Sequence, residues 1–385
     1  MLSSTVTTLT VLLIILFLFK EGSGVFSKSP LEGENIIAVN ASNQVLHLSP
    51  QQIKDIYDQK ITNWKSLSGN NDSILLFSNE YIESYLSMEE IGENFEFLPH
   101  KIDSLLLANK GMLAIFSKKY LSKDFHGKLI SIENTSIKSF LSGREWFPTA
   151  QPAAQLGVLP IILGTLWVSL IAILIALPIG LATAIYMAEV ASLKMRNILK
   201  PIIELLSGIP SVVYGFFGLV IIVPLVQKLF HLDTGQTALT GSILLAIMAL
   251  PTIITITEDA LRNTPRAMKE ASLALGATRW QTIVRVVLPY SSSGIASAAI
   301  LGIGRAIGET MAVLMVTGNA AVIPHTILAP VRTIPATIAA ELGEAPQGGI
   351  HYQALFALGC ILFIITMVIN IWVELISKKR KASKS

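Results

Sequence analysis

Residues 258–289 read EDALRNTPRAMKEASLALGATRWQTIVRVVLP, a charged island between two long apolar runs. Thr264-Pro265 is a good helix start and 266–274 continues as helix. Gly276 permits a sharp turn, and 279–288 forms a second helix that Pro289 stops. Spacing alone leaves two readings open. The island is either a basic loop that satisfies membrane topology or a helix–Gly–helix lever for a cytoplasmic motor. Just beyond it, inside the next apolar run, stand Arg305 and Glu309.

Composition places this island in a membrane protein. Hydrophobic residues make up 52% of the chain and charged residues 14%, with mean hydropathy +0.60. A soluble domain carries about a quarter charged residues. The net charge of +3 is small and the basic residues lie beside apolar runs, so lipid is expected around the chain and nucleic acid is not a partner. Cys360 is the sole cysteine, so no disulfide forms within the chain. The six scattered histidines lack metal-ligand spacing; no metal and no cofactor are expected.

Six apolar runs, 5–19, 159–187, 202–226, 241–257, 294–317 and 352–376, lie near the length of about 20 residues that a spanning helix needs. The first is short enough to rival a signal peptide. No Lys or Arg precedes it, however, and Gly22-Ser-Gly-Val is a poor cleavage site, so 1–24 is expected to be a retained helix. Lys194, Arg196 and Lys200 follow the second run. Arg262, Arg266, Lys269, Arg279 and Arg285 follow the fourth, and Lys378, Lys379, Arg380, Lys381 and Lys384 follow the sixth. The opposite short loops offer only Lys228 and Arg332. The positive-inside rule puts 258–293 and both termini in the cytoplasm and residues 25–150 outside.

That external segment is polar. It offers strand patterns at 36–39, 74–77 and 111–116, and a helix opened by Ser49-Pro50 with Ile53, Ile56 and Tyr57 on one face. The predicted fold is therefore an all-α polytopic membrane protein with an inserted α/β extracytoplasmic domain. Pro178, Gly208-Ile-Pro-Ser and Pro251 interrupt three apolar runs, either as packing kinks or as breaks lining a polar path. Gly304-x-x-x-Gly308 permits close helix contact.

The intramembrane charges are the candidate chemistry. A charge at mid-bilayer costs about 2.5–3.5 kcal/mol on insertion scales. At i and i+4, Arg305 and Glu309 would share a helix face and partly neutralise each other. Such a pair is either a structural ion pair or a transport site. A planar guanidinium suits a tetrahedral oxyanion through paired hydrogen bonds, with Glu309 as counter-charge. Glu204, in the third run, is a second intramembrane carboxylate.

A resemblance goes further than these readings. Glu270-Ala271-Ser, then Gly276, then Leu288-Pro289 resemble the EAA loop of ABC-importer permeases. Ser272 and Val286 are mild departures. Residues 304–319 (GRAIGETMAVLMVTGN) resemble the PstC-type permeases of phosphate importers, as do 140–148 (FLSGREWFP), 208–215 (GIPSVVYG) and 332–346 (RTIPATIAAELGEAP). Together they cover about 140–376. The resemblance implies about six transmembrane helices of the ABC type I importer permease fold, the first at 1–24 and the rest in a permease domain over 151–385, in a bacterial inner membrane. It also implies a coupling loop that docks on an ATPase through Glu270, Ala271, Gly276, Leu288 and Pro289.

The implied partners are a sister permease subunit, two ATP-binding subunits and an extracytoplasmic phosphate-binding protein, with inorganic phosphate as cargo. Arg305, Glu309 and Glu204 would line the path. The chain contains no G-x-x-x-x-G-K-[ST] loop, so ATP hydrolysis falls to a separate subunit and this chain is not an enzyme. Residues 48–64 and 111–120 resemble pieces of the binding protein itself. Between them, Phe77 to Tyr85 carries carboxylates where an anion nest would need glycine, implying a lobe that has lost its ligand. Two alternatives are a permease for another oxyanion (sulfate, molybdate or phosphonate) and a membrane phosphate sensor. The short tail after Ile376 speaks against the sensor.

Overall fold

A computed structural model describes residues 2–31, 34–78, 82–92 and 94–382. The expectation for 77–85 falls partly on 79–81, outside the described residues, as does Lys384. The chain divides into two units, Met1–Gly157 with Pro346–Ala354, and Val158–Ala345 with Leu355–Ser385.

The first unit opens with α1 (Leu2–Ser23). Strands β1 (Asn35–Val39) and β2 (His47–Leu48), helix α2 (Pro50–Tyr57) and strand β3 (Leu75–Ser78) follow. Then come the short α3 (Ile82–Tyr85) and α4 (Met88–Ile91), and α5 (Leu98–Ala108). Strands β4 (Met112–Ser117) and β5 (Lys128–Ile132) complete a sheet of order β2-β5-β1-β4-β3. β1 runs antiparallel to both β4 and β5, whereas β2–β5 and β3–β4 are parallel.

The central strands β1 and β4 are mostly apolar because both sheet faces are covered there. Side chains alternate across a strand, so Ile37, Val39, Leu113 and Ile115 join Ile53, Ile56 and Trp64 on one face. Ala38, Met112, Ala114 and Phe116 join Leu98, Ile102 and Leu106 on the other. Ser49 caps α2 and Gln52 closes the capping box, which fixes where that helix starts.

Trp64 is fully buried and its indole donates to the Gly111 carbonyl at 2.9 Å. Trp64→Ala is expected to cost about 3–5 kcal/mol. Limited proteolysis of the membrane-inserted chain should then cut within 25–150 at protease levels that spare the parent.

The same unit ends with α6 (Ile137–Ser142) and the hairpin of β6 (Trp146–Phe147) with β7 (Gln155–Leu156). Gly143 and Gly157 meet backbone to backbone here; a Cβ on Gly157 would lie 2.4 Å from the Gly143 carbonyl carbon.

The second unit is helical. α7 (Leu159–Ile185) runs into a π-turn at Tyr186–Val190, and α8 (Leu193–Ser207) follows. α9 (Ser211–Phe217) continues through a second π-turn, Gly218–Ile222, into α10 (Val223–Phe230). α11 (Ala238–Arg262), α12 (Arg266–Ala274) and α13 (Arg279–Thr282) come next. A third π-turn, Ile283–Val287, leads into α14 (Leu288–Tyr290). α15 (Ser292–Gly308), α16 (Met311–Val316), α17 (Ile334–Glu341) and α18 (Ile350–Ala382) complete the chain.

Five helical stretches, Thr5–Phe26, Leu159–Val190, Ser211–Phe230, Ala238–Arg262 and Ile350–Leu375, are long and apolar enough to cross a membrane. A sixth exists if Arg279–Tyr290 and Ser292–Gly308, bent by 68°, form one span. The stretch Ala238–Arg262 is 61% buried and Ile350–Leu375 only 28%, which makes α11 the central post. Close approach to α11 depends on glycine: a Cβ on Gly180 of α7 or Gly302 of α15 would lie 2.7 Å or 2.9 Å from the Ile253 side chain. Around the outside, Leu170, Leu174, Leu225, Leu229, Val368 and Trp372 are exposed, apolar faces suited to lipid.

Three expectations need correction. The third run does not span from residue 202, because Gly208-Ile-Pro210 separates α8 from α9 and the span-length helix begins at Ser211. The fifth run is not one helix, because α15 ends at Gly308 and Glu309 adopts extended backbone. Pro289 does not stop its helix: it sits in the first turn of α14, directly after a π-turn, where the regular backbone bond that proline would break is already displaced. Pro178 and Pro251 lie inside unbroken helices, so of the three interruptions only Gly208-Ile-Pro210 breaks the chain's path.

Candidate functional site

Two helix breaks meet in the second unit. At one, α8 gives way to α9, and the Tyr214 hydroxyl reaches back across the break to donate to the Leu206 carbonyl at 2.8 Å. At the other, α15 ends and α16 begins two residues beyond Glu309. α9 packs on α16 so closely that a Cβ on Gly215 would lie 3.0 Å from the Ala312 Cα. Arg305, one turn before the end of α15, places its charge within electrostatic range of the Tyr214 ring.

Arg305 and Glu309 are both part-buried. Among the described residues, neither side chain makes an ion pair or a hydrogen bond. The expected i,i+4 pair is therefore not formed. The helix that would hold both on one face stops between them, and Glu309 leaves in extended backbone. Elsewhere in this unit Arg332 pairs with Glu341 at 2.6 Å and Arg196 with Glu258 at 2.8 Å.

The face of α15 beside Arg305 is also open. A Cβ on Gly304 or Gly308 would meet nothing within 4 Å, so among the described residues no other helix packs closely on this glycine pair. Glu204 is exposed on α8, outside the span-length helices.

The charged island forms a second constellation. Gly276 takes φ +83 with open space around it, so the left-handed backbone itself requires glycine. Thr278 caps α13 and Gln281 closes the box. Glu270, Ala271 and Gly276 are exposed. Leu288 turns inward instead, against Ala184, Met187, Ile203, Ile254, Leu261 and Val287, with Pro289 half-buried beside it. Leu275 is 90% exposed at the turn and Trp280 64%, two large apolar side chains exposed on the island.

Glu258, which opens the island, is 1% exposed. Its Oε1 accepts from Arg196 of α8 at 2.8 Å, and Arg262 at 3.7 Å and Lys200 at 3.8 Å add opposite charge, while its Oε2 accepts no hydrogen bond among the described residues. Sequence reading missed this cluster because an acid closing an apolar run looks interfacial. Tyr214 was likewise missed, although an aromatic hydroxyl one turn after Gly-Ile-Pro could have flagged it.

Elements of this kind define a transport permease, and comparison agrees. The family model of the binding-protein-dependent transport system inner membrane component matches residues 176–382. The chain belongs to this family. It is 39% identical over 250 residues to a probable ABC transporter permease protein, YqgH, of Bacillus subtilis (strain 168), covering 65% of this chain and 81% of the relative.

It is 40% identical over 250 residues to the phosphate transport system permease protein PstC of Mesorhizobium japonicum, covering 60% of this chain and 75% of the relative. A solved inward-facing MetNI methionine ABC transporter shows 21% identity and a TM-score of 0.46, over 56% of this chain and 93% of that one. Family membership makes the helical unit a type I importer permease, embedded in a membrane and dependent on a substrate-binding protein and an ATPase. It is a transport subunit and not an enzyme.

Proposed function

We propose that this chain is the permease subunit of an ATP-driven importer of inorganic phosphate. In this reading it assembles with a sister permease, two ATP-binding subunits and an external phosphate-binding protein in a bacterial inner membrane, with both termini in the cytoplasm. Residues 1–24 form its first transmembrane helix, 25–150 an extracytoplasmic α/β domain, and 151–385 the permease, with 258–293 as the ATPase-coupling loop.

The observation that carries the reading is an unpaired guanidinium at the meeting of two helix breaks. Phosphate bears one to two negative charges and cannot cross an apolar core unaided. Arg305 offers bidentate hydrogen bonds with no internal partner to displace, which suits a foothold that must also let go. Glu309, close in the chain but not paired, limits how tightly an anion is held there. Glu204 is left out of this path. ATP-driven closure pulls on the surface carrying Glu270, Ala271 and Gly276, and the inward Leu288-Pro289 passes that motion to the spans. The external domain helps dock the binding protein.

A guanidinium does not distinguish among tetrahedral anions, so sulfate is the necessary control. Cells lacking their own importer, supplied with this permease and its companion subunits, are expected to take up labelled phosphate and not sulfate. Sulfate uptake without phosphate uptake overturns the substrate assignment.

A further inference from the structure

The coupling helix α12 is held to the transmembrane helices at one ionic point. Among the described residues its side chains make two hydrogen bonds. Ser272 meets Thr282 in the next helix of the same island at 3.0 Å, and Lys269 Nζ donates to Glu189 Oε1 at 2.5 Å. No residue of α12 is buried. Glu189 lies in the π-turn that ends α7, and the pair is mostly shielded, with side chains 12% and 22% exposed. A shielded ion pair resists separation better than a solvated one, so it can carry a displacement instead of dissolving into water.

On the far side of the same turn, Ser192 caps α8. α8 is in turn tied to α11 by Arg196 and the buried Glu258. The route from α12 thus runs through Lys269 and Glu189 to the α7–α8 junction, and through Arg196 and Glu258 to the central helix.

From this geometry we infer that Lys269–Glu189 is the strut through which movement of the coupling helix reaches α7, making both residues positioning residues for energy coupling. The inference rests on the importer reading above. The strut must transmit in both directions, so losing it separates ATP hydrolysis from transport without removing either subunit.

The test uses the complete reconstituted complex, with phosphate uptake and ATP hydrolysis measured together and assembly checked by pull-down of the ATPase. Lys269→Met and Glu189→Gln are each expected to keep assembly and hydrolysis. Phosphate moved per ATP should fall about tenfold, equivalent to about 1.4 kcal/mol of lost coupling. The exchanged pair Lys269→Glu with Glu189→Lys should recover most of that ratio.

Single variants with an unchanged ratio overturn the proposal. So does loss of assembly in them, which would make the pair an assembly contact, and so does an exchanged pair no better than the singles. If the unaltered complex hydrolyses ATP but moves no phosphate, the importer reading has failed instead.

Discussion

Arg305→Gln is expected to abolish most phosphate uptake, by about 10- to 100-fold, in a complex that assembles normally. A hydrogen bond to a charged group contributes about 1.5–3 kcal/mol, and each 1.4 kcal/mol is about tenfold. The two halves of this expectation have separate grounds. Assembly should survive because the guanidinium makes no hydrogen bond or ion pair among the described residues, so shortening it breaks no internal contact. Uptake should fail because Gln offers the anion neither charge nor a paired donor fork. Arg305→Lys keeps the charge without the fork, so it should fall between the two. The measurement is uptake of labelled phosphate alongside ATPase pull-down. Normal transport by an assembled Arg305→Gln complex would reduce Arg305 to a packing charge.

The second large effect is expected at the turn of the coupling island. Leu275→Asp should weaken ATPase association about a hundredfold while leaving the permease inserted and folded. Fully burying a leucine contributes about 1.5–3 kcal/mol, and an aspartate there would bring an unpaired charge into the contact. Folding is spared because Leu275, at 90% exposure, contributes almost nothing to this chain's own core. Co-purification and titration of the ATPase against membranes carrying the variant give the answer directly. Undiminished association would place the docking surface away from the turn.

Much of this arrangement could be read in the sequence, for reasons that differ from place to place. Both-faced strands such as 112–117 announce themselves because nearly every residue is apolar, and Ser49-Pro50 marks a helix start by its own chemistry. Gly276 was legible because a left-handed turn leaves little choice of residue. Hydropathy fails at the breaks. Residues 202–226 are apolar on both sides of Gly208-Ile-Pro210, so a hydropathy window sees one helix where the backbone makes two.

The same limit hid the end of α15, since Gly308 and Thr310 flanking Glu309 scarcely lower the local hydropathy. That is why a face-sharing Arg305–Glu309 pair was a reasonable expectation and is not found. Glu258 and Glu189 escaped for another reason. Their partners Arg196 and Lys269 lie 62 and 80 residues away in the chain, and no local pattern encodes which distant residue a shielded carboxylate will meet.

Of the π-turns, Gly218–Ile222 and Ile283–Val287 each wind one surplus residue into an otherwise continuous helix, whereas Tyr186–Val190 closes α7. One residue corresponds to roughly 100° of rotation, so those two helices present a different stripe to their surroundings on either side of the bulge. Such a bulge advances along a helix by trading a single backbone bond at a time, and as it passes, the rod ahead of it swivels without ever coming apart. Ile283–Val287 lies in the 258–293 island and Tyr186–Val190 carries the Glu189 that meets Lys269, so under the importer reading proposed above these turns would serve as swivel joints in a drive shaft.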